Sequence, residues 1–171
     1  MLLHEVLASL VASLRRANCD TARLDAELLL AQALGVSRSF IYAHRDDVIT
    51  QQQLATAQQL IARRAEGEPV AHIIGEREFW SLPLQVDRRV LTPRPETECL
   101  VEAVLGLQLG ASCSFIDAGT GSGAIALALL SEQPAWQGIA LDIDSEALAV
   151  CKANALALGF ANRLQIVRGH W

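Results

Sequence analysis

Ser114-Phe115-Ile116-Asp117-Ala118-Gly119-Thr120-Gly121-Ser122-Gly123, followed directly by Ala124-Ile125-Ala126-Leu127-Ala128-Leu129-Leu130, is the stretch that decides the fold. The short apolar run at Phe115 and Ile116 reads as a buried strand. Three alternating glycines make a turn without Cβ atoms, and an Ala/Leu-rich helix begins near Ser122. A strand feeding a glycine turn and then a helix brings bare backbone and a positive helix end close to a ligand. The pattern predicts a nucleotide-type cofactor site in an α/β domain.

Gly119, Gly121 and Ala124 also satisfy the G-x-G-x-x-A form of the dinucleotide fingerprint, so the glycines alone do not say which nucleotide. Asp117 is more informative. It ends the strand two residues before the first glycine, where it would repel a pyrophosphate and attract a sulfonium and an ammonium group. That favours S-adenosylmethionine over NAD; the bland alternative is that Asp117 caps the turn with its own side chain. Gly138-Ile139-Ala140-Leu141-Asp142 reads as a second strand ending in an acid. A carboxylate about twenty residues after such a turn hydrogen-bonds ribose hydroxyls. Asp142 is therefore the ligand candidate, and Asp144 or Ser145 the cap of the next helix.

The 171 residues carry a formal net charge of −5, enough chain for one full-sized domain or two small ones. Mild acidity argues against direct binding to nucleic acid, which needs clustered Lys and Arg. Four cysteines (Cys19, Cys99, Cys113, Cys151) are scattered without C-x-x-C spacing and read as reduced thiols of a cytoplasmic protein, with no metal site expected. No basic leader with an apolar core opens the chain, and no apolar run approaches the ~20 residues of a membrane span. Leu3, Val6, Leu7, Leu10, Val11 and Leu14 form the stripe of a first helix. A second is expected from Thr21 through Leu24, Leu28 and Ala31 to a stop at Gly35, a third over Arg38 to His44, and a fourth from Thr50 to Gly67. Residues 1–67 thus read as a helical bundle. Arg15-Arg16 and Arg63-Arg64 are solvated helix faces or docking contacts for an acidic partner.

From Glu68 onward the helical period gives way to prolines. Glu78-Phe79-Trp80 and Leu82-Pro83-Leu84-Gln85-Val86 predict a β-hairpin within a linker over 68–90. Leu91-Thr92-Pro93-Arg94-Pro95-Glu96-Thr97-Glu98 then leads into a helix expected over Glu96 to Leu109. Arg94, held between two prolines, and Glu96 are either part of a structural helix start or candidates for the rim of the site.

Glu68-Pro69-Val70-Ala71-His72-Ile73-Ile74-Gly75, Arg77-Glu78-Phe79-Trp80, the Leu91–Glu98 block and Asp117–Ala126 together resemble the HemK/PrmC family, the N5-glutamine methyltransferases of peptide chain release factors. Arg23-Leu24-Asp25-Ala26-Glu27-Leu28-Leu29 also resembles the family's N-terminal domain. The resemblance implies an all-α domain that binds the release factor, a hairpin linker, and a class I (Rossmann-like) methyltransferase domain of which residues 91–171 form the first part. It implies that Gly119, Thr120, Gly121, Ser122 and Gly123 lie under the methionine part of S-adenosylmethionine and that Asp142 holds the ribose. Trp171 falls on the aromatic position flanking the adenine, while His170 replaces the family's usual aspartate.

The family's catalytic Asn-Pro-Pro-Tyr element follows its fourth strand and has no counterpart in these residues, so no catalytic residue is assigned within them and the 171 residues alone are expected to be inert. Ending after the third strand is also expected to leave Ser114 to Asp117 with a bare hydrogen-bonding edge. Two other readings stay open: a non-catalytic binding protein, and an amino-group methyltransferase acting on adenine in DNA.

Overall fold

Leu3, Val6, Leu10 and Leu14 fall on one face of α1 (Leu3–Arg16), and all four are buried. Glu5 closes the helix start by accepting a hydrogen bond from the Leu2 N–H at 3.0 Å. The computed structural model describes residues 1–107 and 109–170 and divides the chain into two units, 1–74 and 75–171.

The first unit is helical: α1, α2 (Ala22–Leu34), α3 (Arg38–Ala43), α4 (Gln51–Ala65) and the short α5 (Val70–Ile74). Two ends form as the sequence predicts. Gly35 closes α2 in the left-handed conformation at φ 67°, and Thr50 opens α4 with a capping box shared with Gln53. Thr21 precedes α2 but makes no cap bond; its hydroxyl donates to Asp25 instead, at 2.9 Å.

The apolar stripe expected on α2 differs from the one observed. Leu24 is exposed and Leu28 half-buried, while Ala22, Ala26, Leu29 and Leu30 are buried. The reason is that α2 packs against α1, α3, α4 and α5, so most of its surface is covered and no single stripe marks the core. Covering it also buries Asp25 and Glu27. A buried carboxylate is tolerable only when paired and hydrogen-bonded. Arg64 of α4 meets Asp25 at 2.7 Å, and Glu27 accepts from Arg23 at 3.0 Å and from the Tyr42 hydroxyl, with Arg38 at 3.6 Å. Both arginines of the Arg63-Arg64 pair have partners within this unit: Arg63, at the surface, forks onto Glu68 while the less exposed Arg64 neutralises Asp25.

The second unit starts with a hairpin, β1 (Glu76–Phe79) and β2 (Leu82–Gln85), paired antiparallel from Glu76↔Gln85 to Phe79↔Leu82. Its two-residue turn puts Trp80 and Ser81 at φ 52° and 58°. Tight hairpin turns need positive φ at both positions, normally supplied by Asn or Gly. Here two carboxylates hold the turn: Glu98 accepts from the Trp80 backbone N–H at 2.8 Å, and Glu132 from its indole Nε1–H at 2.7 Å. The helix expected from Glu96 to Leu109 is instead a 3-10 turn, Pro95–Thr97, followed by α6 (Glu98–Gly106).

Three parallel strands follow in the order β3-β4-β5: β3 (Ser114–Ala118), β4 (Gln137–Asp142) and β5 (Leu164–Arg168). The registers Asp117↔Ala140 and Ala140↔Ile166 put Phe115, Gly138, Ala140 and Leu164 on one face. There α7 (Ala124–Glu132) and α8 (Ser145–Ala157) cover them, and α6 packs on α7. On the opposite face Ser114, Ile116 and Ala118 are exposed, Ile116 to 64%. Among the described residues β3 pairs with β4 alone, so its other edge is bare, as the sequence leads one to expect.

The Arg64–Asp25 pair gives a sharp stability test. Replacing Arg64 with Met strands a buried carboxylate and is expected to cost roughly 3 kcal/mol. Arg63→Ala, at a more exposed pair, should cost under about 1 kcal/mol. Urea unfolding followed by circular dichroism separates the two; equal costs would contradict the assignment.

Candidate cofactor site

The C-terminal ends of β3 and β4 lie side by side, and the glycine turn crosses between them. Gly119 and Thr120 both donate their N–H to the Leu141 carbonyl, at 2.8 and 3.0 Å, which ties the turn to β4. Gly123 closes it by donating to the Thr120 carbonyl at 2.8 Å, and α7 starts at Ala124 rather than at Ser122.

Asp142, at the end of β4, accepts from the Gly121 N–H at 3.0 Å through one carboxylate oxygen and from the Asp144 N–H at 3.0 Å through the other. Asp144 in turn caps α8 by accepting from the Glu146 N–H at 2.8 Å, the structural role expected for it. Asp117, at the end of β3, accepts from the Thr120 hydroxyl at 2.7 Å and from the Ala126 N–H at 3.3 Å. Burial pushes its pKa upward, the two hydrogen bonds pull it back, and nearby Asp142 adds to the rise. Two carboxylates thus take up N–H groups of the turn and of the first turn of α7. Those are the groups that elsewhere cradle a phosphate. Arg168, beside Asp142 in the β4–β5 register, donates to the Ile143 carbonyl at 3.2 Å.

Two of the glycines serve different ends. Gly121 has φ 55°, and a Cβ there would meet nothing within 4 Å, so its bare face opens to an approaching ligand. Gly123 has φ 84°, and a Cβ there would lie 2.7 Å from the Cys151 sulfur and 3.1 Å from Leu127 Cδ1. It lets the turn sit directly on α8. Cys151 beneath it is fully buried, and burial pushes its thiol up to about 11, which leaves it a packing residue rather than a nucleophile.

The sequence gives Asn154 no role; the structure gives it a central one. It is 1% exposed. Its side-chain oxygen accepts from the Gln85 N–H at 2.7 Å, and its NH2 donates to the Gln85 carbonyl at 3.0 Å and the Ser122 carbonyl at 2.9 Å. One amide therefore joins the β2 strand to the glycine turn. A signal was available: Asn154 continues the buried row Ala147, Cys151 of α8, where a polar residue must find partners.

Arg94 and Glu96 are exposed on the lead-in to α6. In the same block Glu98 reaches the hairpin, accepting from the Trp80 N–H. Thr120, Ser122 and Gly123 are buried in the turn, and His170 is exposed after β5. The expectation for Trp171 lies outside the described residues.

A parallel sheet with a glycine turn after its first strand and an acid after its second belongs to the α/β, Rossmann-like class in which class I methyltransferases fall. More particularly, residues 5–75 match the family model described as the PrmC N-terminal domain, and the chain is a homologue of the release factor glutamine methyltransferases. It is 45% identical to that of Shewanella oneidensis over 155 residues, 91% of this chain and 54% of that protein. It is 43% identical to that of Escherichia coli over 169 residues, 99% of this chain and 58% of that protein. The chain thus spans a little more than half the length of the curated relatives it matches. Among solved structures, the N-terminal domain of human METTL16 in complex with SAH aligns at 16% identity and a TM-score of 0.44, over 82% of this chain and 55% of that one.

Asn154→Ala leaves the Gln85 N–H and the Ser122 carbonyl without partners in a buried setting. The expected loss is roughly 3 kcal/mol of stability, with faster amide exchange at Gln85 than at residues elsewhere in the hairpin. Unchanged exchange at Gln85 would show that the amide does not hold the strand.

Proposed function

We propose that the second unit binds S-adenosylmethionine, and that the full-length protein is a protein-(glutamine-N5) methyltransferase of peptide chain release factors, acting in the cytoplasm on the glutamine of their Gly-Gly-Gln motif. The observation that carries the cofactor reading is the occupation of the Gly121 N–H by Asp142 and of the Ala126 N–H, in the first turn of α7, by Asp117. A pyrophosphate would have to displace both carboxylates, whereas a sulfonium and an ammonium group would find the local charge complementary. The open face at Gly121 and the acid set fit such a guest. The substrate reading is supported by the names of the relatives, each a release factor glutamine methyltransferase.

In this reading Gly119, Thr120, Gly121, Ser122 and Gly123 form the floor under the methionine part, Asp142 accepts from the ribose hydroxyls, and Asp117 faces the cationic end. Arg94 and Glu96 stand at the rim. The bound cofactor supplies a methyl group on a positively charged sulfur. The residues of this chain hold it and place negative charge beneath it. Orienting the poorly nucleophilic amide nitrogen is work for fixed acceptors. We assign those to the part of the relatives' length that these residues do not span, so the 171 residues alone are expected to leave the glutamine unmodified. The division of labour is 1–67 for release-factor recognition, 68–90 as the hairpin-bearing connection and 91–171 for the cofactor, with no direct role for nucleic acid or membrane. Among the described residues no helix is long and apolar enough to cross a membrane.

Mass spectrometry of a release factor incubated with S-adenosylmethionine and the full-length protein tests the activity. A gain of one methyl group on the Gly-Gly-Gln glutamine is expected, and an unmodified glutamine would end the reading. Asp142→Ala should raise the KM for the cofactor about ten-fold, the scale of one charge-assisted hydrogen bond.

The pH dependence has a definite sign. Burial raises the Asp117 pKa above its ordinary value, so at low pH its carboxyl is protonated in the free protein. A cationic guest favours the ionised form, so cofactor affinity should climb as pH rises through that raised value and then level off. Asp117→Asn should remove the climb; a wild-type affinity flat through the acid range would contradict the role given to Asp117.

A further inference from the structure

The helix α1 carries two apolar stripes, one fully buried in the core and one packed only partly against it. Leu3, Val6, Leu10 and Leu14 are buried among the other helices. Leu7 and Val11 are half-buried, and Ala8 and Ala12 are exposed, on the neighbouring face. With Ile41 and Tyr42 of α3 these residues line a groove of about 600 Å³. Its length along α1, from His4 to Arg15, is about 16 Å at 1.5 Å per residue.

The charge around this groove is opposite in sign to that of the chain. The chain carries −5, yet the groove's ionisable lining consists of His4, Arg15, Arg23 and Arg45, with no carboxylate among the lining residues. The three arginines and His4 are not equally free. Arg23 spends one N–H on buried Glu27 at 3.0 Å, and Asp46 lies 3.4 Å from His4 and 3.8 Å from Arg45. Arg15 has no ion-pair partner among the described residues. The arrangement is an apolar trough about three helical turns long, with basic groups at both ends.

We propose that this groove docks an acidic amphipathic helix of the protein substrate. The apolar side chains of such a helix, at i, i+3, i+4 and i+7, would lie on Leu7, Val11 and the exposed Tyr42 ring, and its carboxylates would meet Arg15 at one end and Arg45 at the other. The exposed Ala8 and Ala12 allow its backbone to come close. The inference rests on the release-factor reading above and adds to it the chemistry of the contact and the surface that makes it. A partner with basic helix ends would be repelled by the same arginines, which makes the groove selective as well as adhesive.

The test uses the full-length protein and two exposed positions on α1, Ala12→Glu and Arg15→Glu, neither of which disturbs a buried contact. Binding of a fluorescently labelled release factor, followed by anisotropy without cofactor, should weaken about ten-fold or more in each variant, while Arg15→Lys stays close to wild type. Methylation is then compared on the whole factor and on a short Gly-Gly-Gln peptide that lacks any docking helix. The KM for the whole factor should rise about ten-fold with kcat unchanged, and the peptide parameters should not move. Whole-factor binding and KM within two-fold of wild type in both variants would overturn the groove while leaving the activity intact. Equal losses on the peptide would overturn it too, because the substitutions would then act on the chemistry. Wild-type protein that binds the factor but methylates neither substrate would instead sink the functional reading and leave docking standing.

Discussion

The hydrogen bond from the Gly121 N–H to Asp142, with its counterpart from the Ala126 N–H to Asp117, is the constraint on which the site depends. A glycine turn at the start of a helix presents N–H groups and a positive dipole, and in isolation it would attract an anion. Here the protein's own carboxylates already satisfy that attraction. Both carboxylates lie at the turn itself, and no side chain of the turn supplies a cation. With those N–H groups taken up by carboxylates, the turn is a poorer receptor for a pyrophosphate.

That geometry is supported from behind by groups that meet no ligand. Asn154 fixes the Ser122 carbonyl and the β2 strand with one amide, and Gly123 lets the turn rest on Cys151. The hairpin is held at its other end by Glu98 and Glu132 through Trp80. The hairpin, α6, α7, α8 and the turn are therefore linked by polar contacts, of which the Asn154–Ser122 bond is fully buried. Each is made to backbone or to an aromatic N–H, so a shift of the hairpin would be felt at the turn. Buried polar networks of this kind specify one arrangement because a half-satisfied version is costly.

Most of the strand, turn and helix order was legible because its signals are local. The glycine turn and the caps at Gly35, Thr50 and Asp144 act within a few residues, and each formed as predicted. What escaped involves partners far apart in the chain. Asn154 and Gln85 lie 69 residues apart, and Arg64 and Asp25 lie 39 apart. A helix covered on most sides, such as α2, shows no stripe from which its buried face can be read. Trp80 at a positive φ was unreadable for the same reason, since the two glutamates that hold it belong to later helices. Of the site residues, Asp142 could be placed by spacing alone. Asp117 caps the turn, the alternative that the sequence left open beside a cofactor contact.

The most direct test of the electrostatic account is a pair of calorimetric titrations of the full-length protein, one with S-adenosylmethionine and one with NAD, at the same pH and salt. The account predicts a saturable heat with the sulfonium compound and none with the dinucleotide. Tight binding of NAD with no heat from S-adenosylmethionine would contradict it, because the carboxylates of Asp117 and Asp142 would then not set the charge of what the turn accepts.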